Sequence, residues 1–298
     1  MNVLILGGTG MAGHMIYHYL RNHTELTAMY TTRNKLNNDG VYLDLDNNID
    51  SIASDIKSIL NKYQINVLVN CIGILPQESK QDICKAITLN SLLPHILEKI
   101  SLENQIKLIH LSTDCVFSGK DGSYTEKSLK DGTDNYSRSK NLGEIFSEDN
   151  LILRTSFIGP DIKENGVGLF SWFMRQKESI NGYREVYWSG VTTLELAKII
   201  EYCIKNNIKG LYQCVNNSKI SKYDLLVKVK DTFNKNDINI SKYTGVISDK
   251  SLICEREDIN YKIPDYDKMI EELCDYMNLY SELYPHLKNY LTRSKTLN

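Results

Sequence analysis

No apolar run in the chain approaches the ~18 consecutive residues that a membrane-spanning helix requires. Nor is there an excess of basic residues. The net charge is −2, with both signs interspersed, so the chain offers no field for a phosphate backbone and no nucleic-acid partner is expected. No CxxC occurs. The seven cysteines are odd in number and scattered, and the six histidines are dispersed. A disulfide framework and a structural zinc are therefore both excluded, and no metal site is expected. No charged region precedes the short apolar run at the N-terminus, so no secretory leader is read there and the expected compartment is a reducing cytoplasm. There is also no internal repeat and no low-complexity linker.

What the chain does contain begins with residues 2–13, NVLILGGTGMAG. An apolar strand (3–6) runs into a turn bearing Gly7, Gly8, Gly10 and Gly13, and a helix follows over 11–20. Glycines at this spacing leave backbone amides free to face a dinucleotide pyrophosphate at a helix N-terminus. A second strand, 26–31, ends in Thr31-Thr32-Arg33. An acid at such a strand end would favour a free ribose 2′-hydroxyl, and an arginine favours a 2′-phosphate. Arg33 therefore points to NADP(H), with NAD(H) as the alternative. Further strands are read at 41–45 (VYLDL), with Asp44 near its end, at 67–70 before Asn70-Cys71-Ile72-Gly73, at 107–112 and at 151–155. Helices are read between them and over 135–147, and Pro94 marks a restart or kink. Strict alternation implies right-handed crossovers and an α/β, doubly wound parallel sheet, with ligands at the carboxyl ends of its strands. Past Gly159-Pro160 the alternation loosens. Residues 161–168 read as a flexible loop, and Ser221–Asp224 has the form of a capping box.

A second cluster carries the chemistry. Ser112-Thr113-Asp114-Cys115-Val116-Phe117 closes a strand, and Tyr136-Ser137-Arg138-Ser139-Lys140 follows. Tyr136 and Lys140 are four apart and share a helical face. An ammonium there would favour tyrosinate and bring the phenol toward the working pH range. Tyr136 can then give a proton to an oxygen gaining charge, and the Thr113 hydroxyl can hydrogen-bond the same oxygen. A second YxxxK, Tyr284 and Lys288, has no glycine turn or strand-end hydroxyl upstream and reads as a chance match on a surface helix or turn.

Taken together, Gly7–Gly13, Leu43-Asp44-Leu45, Asn70–Gly73, Asn90, Ser112–Gly119, Tyr124-Thr125-Glu126, Tyr136–Lys140, Gly143-Glu144 and Arg154-Thr155-Ser156 resemble the extended short-chain dehydrogenases/reductases, and within them the dTDP-4-dehydrorhamnose reductase family. The resemblance covers about the first 160 residues and thins beyond. It implies a Rossmann-like fold with a smaller C-terminal domain. Gly7, Gly10 and Gly13, with Thr9 and Met11 in the same turn, would hold the cofactor phosphates. Asp44 and Leu45 would meet the adenine, and Cys71, Ile72 and Gly73 the nicotinamide ribose. Thr113, Tyr136 and Lys140 would form the catalytic triad, with Tyr136 and Lys140 also touching the cofactor. The substrate implied is a nucleotide-diphospho 4-keto sugar and the product a deoxysugar for surface polysaccharide. A homodimer is left open.

The sequence departs from that pattern at Cys115, where the family usually has an aromatic residue, and at Ser137, where a glycine is common. Two alternatives follow. In related GDP-fucose synthases a cysteine at the position of Cys115 works as an acid/base, which would make the chain an epimerase-reductase. The bland reading of Cys115 is a small buried hydrophobe. The family also contains non-catalytic NADP-binding regulatory subunits. For the substrate, Cys115, Phe117, Trp172 and Arg175 are the candidates. Trp172, Phe173 and Trp188 are equally readable as core, and Arg175 and Arg184 as surface cations. The expected division is a dinucleotide-binding domain over 1–158, to which about 190–215 returns, and a mainly substrate-binding domain over 159–298.

Overall fold

The computed structural model describes residues 1–36, 39–45, 49–145 and 147–291. β1 (Asn2–Leu6) leads through the glycine turn into α1 (Met11–His23). Then come β2 (Thr27–Thr32), β3 (Val41–Tyr42), α2 (Ile49–Tyr63), β4 (Val67–Asn70), α3 (Pro76–Gln81), α4 (Ile83–Ala86), a π-helical turn (Ile87–Leu92), α5 (Leu93–Glu103), β5 (Lys107–Thr113), α6 (Asn135–Leu142) and β6 (Leu151–Thr155). The remainder comprises β7 (Phe157–Ile158), α7 (Leu169–Arg175), β8 (Glu178–Trp188), β9 (Val191–Thr192), α8 (Thr193–Lys205), β10 (Gly210–Gln213), β11 (Ile220–Ser221), α9 (Lys222–Thr232), β12 (Ile238–Asp249) and α10 (Tyr266–Leu279).

Among the described residues the main sheet has seven strands in the order β10-β6-β5-β4-β1-β2-β3, and its pairs are all parallel. The chain order reverses between β1 and β4, which places a crevice outside their carboxyl ends. β1 is buried on both faces, which explains its unbroken apolar run. Successive side chains alternate. Val3 and Ile5 join the core beneath α1 and α8, with Met15, Ile16, Ile199 and Ile200. Leu4 and Leu6 join the core beneath α2 and α5, with Ile56, Leu93 and Leu97. α8 packs on α1, and β10 forms the edge beyond β6.

Several boundaries differ from expectation for local reasons. The third strand covers only Val41–Tyr42 of the anticipated 41–45, because only Thr31 and Thr32 of β2 reach across to pair with it. The helix expected over 135–147 stops at Leu142. Gly143 caps it, and a Cβ there would lie 1.9 Å from the carbonyl oxygen of Asn90. Residue 146, and the polar tail 292–298 expected to fray, lie outside the described residues. Pro94 has no N–H to give back to Asn90. The turn before it widens to π form, with Leu93 N–H bonding to Thr88, and the helix resumes as α5 without a break. The loop 161–168 is pinned rather than loose. The Ser171 hydroxyl donates to Asp161 at 2.8 Å and Arg175 donates to the Glu164 carbonyl at 3.0 Å.

Two long strands have no counterpart in the sequence reading. β8 and β12 run parallel and, with β11, make a three-stranded sheet on which α9 packs. Their sequences, ESINGYREVYW and INISKYTGVISD, are mostly polar, with β8 half-buried and β12 largely exposed, so neither shows a buried-strand signal. Ser221 does cap α9 through the Asp224 N–H at 3.0 Å. No described helix is long and apolar enough to cross a membrane.

Candidate active site

Two cavities lie at the carboxyl ends of the sheet. The first, about 500 Å³, runs along the glycine turn and the ends of β1, β2 and β4. Gly7 adopts φ +78°, a left-handed conformation that suits glycine, and a Cβ on it would lie 3.0 Å from Ile72 Cγ1. The Gly7 N–H donates to the Thr31 hydroxyl (3.1 Å) and the Gly10 N–H to the Gly7 carbonyl (3.0 Å). Gly10 caps α1 with no side-chain acceptor, so the first amides of a 13-residue helix remain open at the cavity. A diphosphate needs this arrangement: a close-approaching bare backbone and the positive end of a helix dipole. The residues present therefore fit a dinucleotide. Thr9, Arg33, Leu45, Cys71, Ile72 and Gly73 line the same cavity.

The second cavity, about 240 Å³, adjoins the first through Cys71, Ile72, Gly73 and Ile74, which line both. Its other walls include Met11, Thr113, Asp114, Cys115, Tyr136 and Lys140. β5 ends in Thr113, and α6 starts at the Asp134 cap, whose carboxylate takes the Ser137 N–H at 2.9 Å. Strand end and first helical turn thus face each other across the cavity that Thr113 and Tyr136 both line, and the Thr113 hydroxyl donates to Asp114 at 3.1 Å. The Lys140 ammonium donates to the Leu111 carbonyl at 2.8 Å. Gly73 lies against this wall, where a Cβ would sit 3.1 Å from Asn90 Oδ1. Asn90, in the π-turn, holds this wall. Its Oδ1 takes the Ile74 N–H (2.9 Å), and its Nδ2 donates to the Ser139 hydroxyl (3.1 Å).

Burial dominates the electrostatics. It pushes the Tyr136 phenol above its ordinary range, with Cys115 adding to the effect and the Thr113 hydroxyl opposing it. The expected lowering by Lys140 is not seen, because the site desolvates the phenol and the ammonium is turned to Leu111. Burial brings Lys140 down to about 8, against the pull of Glu144. It raises Cys115 to about 12, with Asp114 adding to the rise. Cys115 is half-buried on the cavity wall, and a thiol raised in this way stays protonated at neutral pH. Asp114 is also raised by burial.

Several candidates stand elsewhere. Asp44 does not line the first cavity. Leu43 and Leu45 do, since neighbours on extended backbone point opposite ways, and Asp44 takes the Tyr42 hydroxyl at 3.4 Å. Gly13 serves packing: a Cβ there would lie 2.3 Å from the Gly7 carbonyl oxygen. Met11 faces the second cavity, not the phosphate turn. Phe117 is fully buried, stacked on Tyr124 at 4.2 Å, and is core rather than a substrate contact. Trp172 lines neither cavity, Arg175 is engaged with the Glu164 carbonyl, and Arg184 pairs with Asp224 at 3.6 Å. Trp188 is buried against Tyr266. The sequence reading missed Lys222, whose ammonium lies over the Trp188 ring at 5.0 Å and acts on Asp114 and Cys115. Its place beside a helix cap was visible, but the direction of its side chain was not.

A profile of the family described as "RmlD substrate binding domain" matches residues 1–249. The chain is 21% identical over 229 residues to a dTDP-4-keto-6-deoxy-D-glucose reductase of Streptomyces niveus, covering 74% of this chain and 75% of that one. It is 23% identical over 252 residues to methionine adenosyltransferase 2 subunit beta of Xenopus tropicalis, covering 78% and 72%. A solved dTDP-4-dehydrorhamnose reductase of Bacillus anthracis, in complex with NADP, superposes with a TM-score of 0.76 at 19% identity, over 92% of this chain and 99% of that one. At that identity the likeness establishes the doubly wound fold.

Proposed function

The chain belongs to the RmlD substrate-binding-domain family, and from that premise we propose that it is an NADPH-dependent reductase of the 4-keto group of a nucleotide-diphospho deoxysugar destined for surface polysaccharide. One observation carries the reading. A bare-backbone diphosphate cradle opens directly into a second cavity walled by Thr113, Tyr136 and Lys140. A protein that only held a dinucleotide would need the first cavity and not the second.

In this reading Gly7, Thr9 and Gly10 seat the cofactor diphosphate, Arg33 faces the 2′-phosphate, Leu45 borders the adenine, and Cys71, Ile72 and Gly73 border the nicotinamide ribose. The nicotinamide, when bound, supplies hydride. Tyr136 holds a proton firmly, since burial favours the neutral phenol, and gives it to the substrate oxygen as that oxygen gains charge. Thr113 fixes the direction of the carbonyl. Lys140, cationic below about 8, lines the same cavity and would touch the bound cofactor. Residues 1–158, with about 190–215, would form the cofactor half, and the remainder would shape the sugar site.

The likeness to methionine adenosyltransferase 2 subunit beta favours a second reading, a non-catalytic NADP-binding subunit. Purified protein mixed with NADPH and a panel of nucleotide 4-keto sugars decides between them. Loss of reduced cofactor is expected with one or more sugars, and it falls by about 10²–10⁴-fold in Tyr136→Phe while NADPH binding persists. A panel without turnover would favour the subunit, and a Tyr136→Phe protein as active as the parent would overturn the role given to Tyr136.

A further inference from the structure

The wall shared by the two cavities hangs on two asparagine carboxamides. Asn90 Oδ1 takes the Ile74 N–H, and its Nδ2 is tied down by the Ser139 hydroxyl. Nearer β4, Asn70 Oδ1 takes the Ile72 N–H at 3.1 Å, and its Nδ2 donates to His110 Nδ1 at 3.1 Å. Asn70 closes β4, and His110 stands opposite it in the β4–β5 register. Both side chains are fully buried. His110 lines neither cavity.

A carboxamide has two ends of nearly equal shape, one an acceptor and the other a donor. Turned over, Asn70 would point its amino group at the Ile72 N–H, two donors facing each other. The group at the far end sets the direction. Because Ile72 offers a backbone N–H, Asn70 presents its oxygen there and its amino group to His110. His110 Nδ1 is therefore the acceptor and carries no proton, which leaves the ring proton on Nε2.

The surroundings of the ring agree. Burial drives the His110 pKa well down, so the imidazole is neutral. Nε2 has no hydrogen-bond partner among the described residues, and the bond to Asn70 is the one polar contact that the ring makes there. A buried donor left unpaired costs stability. The bond that offsets part of this cost is aimed at the cavity wall.

We propose that His110 is a positioning residue for the cofactor site: acting through Asn70, it fixes the Ile72 amide and with it the stretch Cys71–Gly73 that borders the nicotinamide ribose. The proposal rests on reading that stretch as part of a nucleotide site.

Long-range proton–nitrogen NMR spectra of the full-length protein test the first link. At neutral pH His110 should show a bare Nδ1 and a protonated Nε2, and a proton on Nδ1 overturns the proposal without any variant. Two variants test the second link. His110→Leu keeps the bulk and removes the acceptor, whereas His110→Asn carries an oxygen at the branch where Nδ1 stood. In His110→Leu, amide exchange at Ile72 is expected to speed up about tenfold and NADPH to bind about 3–10-fold more weakly. His110→Asn should recover most of both, and the amides of Leu4 and Leu153 in the core strands should exchange at parental rates throughout. A rise shared equally by Ile72, Leu4 and Leu153 overturns the proposal, because it marks general loosening. So does parental NADPH affinity in a His110→Leu protein whose Ile72 amide is released. A parent that binds no NADPH refutes the nucleotide reading and this proposal with it; unchanged Ile72 exchange in His110→Leu, where the parent binds NADPH, refutes this proposal alone.

Discussion

His14 sits one helical turn beyond the glycine cradle and couples it to the far end of the chain. Its Nδ1–H donates to the Gly10 carbonyl at 3.0 Å, which leaves Nε2 to accept the Tyr284 hydroxyl at 3.1 Å. Burial lowers its pKa from 6.5 to about 4. Above pH 6.5 the ring is neutral folded or unfolded, and the stability is fully present. Between 6.5 and 4 the unfolded chain takes up a proton that the folded one refuses, so stability falls with pH. The loss reaches about 3 kcal/mol at pH 4. Urea midpoints at pH 7 and pH 4 check this: His14→Gln should lose about 3 kcal/mol less than the parent across that interval, and equal losses would disprove the assignment. None of this is legible in the sequence, where His14 is an unmarked helix residue. The sequence marks Tyr284 only as part of a chance match on the surface. The match is indeed outside the site, but Tyr284 is fully buried. Thr113, Tyr136 and Lys140 are legible because the Tyr–Lys spacing follows a glycine turn and a strand-end hydroxyl in chain order, a context that Tyr284 and Lys288 lack. Phe117, Trp172 and Arg175 are misplaced by the sequence because residue type says nothing about which way a side chain leaves the backbone.

At the scale of elements, the β1 turn–α1 unit depends on contact between backbones. A Cβ on Gly13 would meet the Gly7 carbonyl oxygen at 2.3 Å and the Gly8 Cα at 2.9 Å. Both neighbours are main chain and cannot rotate away, so Gly13→Ala must push α1 off the turn. We expect a loss of about 1–3 kcal/mol in stability together with weaker NADPH binding, measured by thermal melting and by cofactor fluorescence titration. A Gly13→Ala protein that bound NADPH with parental affinity would contradict this packing role. The unit is the plainest feature of the sequence, since an unbroken apolar strand, punctuating glycines and a helical period agree with one another. β8 and β12 show the opposite case. Each is long and rich in polar residues, and their pairing is parallel across about fifty intervening residues, so no local pattern announces it.

At the scale of the molecule, one apolar core extends from beneath the main sheet through α8, α9 and α10 to Tyr284, Leu287 and Leu291. The last described segment therefore closes the core that supports the nucleotide cradle. Deleting everything after Tyr280 removes three buried apolar side chains and the hydroxyl that donates to His14. The expected cost is on the order of 4–8 kcal/mol, seen as a lower urea midpoint, with faster amide exchange in the first turn of α1. Unchanged exchange there would show the two ends to be independent. The parallel sense of the main sheet follows from alternation and handedness alone, whereas the C-terminal half, with its mixed connections, has no such rule to reveal it. The two cavities share the stretch from Cys71 to Ile74, and this has a thermodynamic consequence. Occupants of adjoining rooms with a common wall are not independent guests. Whatever free energy the first lends to the second by setting that wall, the second returns to the first in equal measure. Saturation with either should therefore tighten or loosen the other by the same factor.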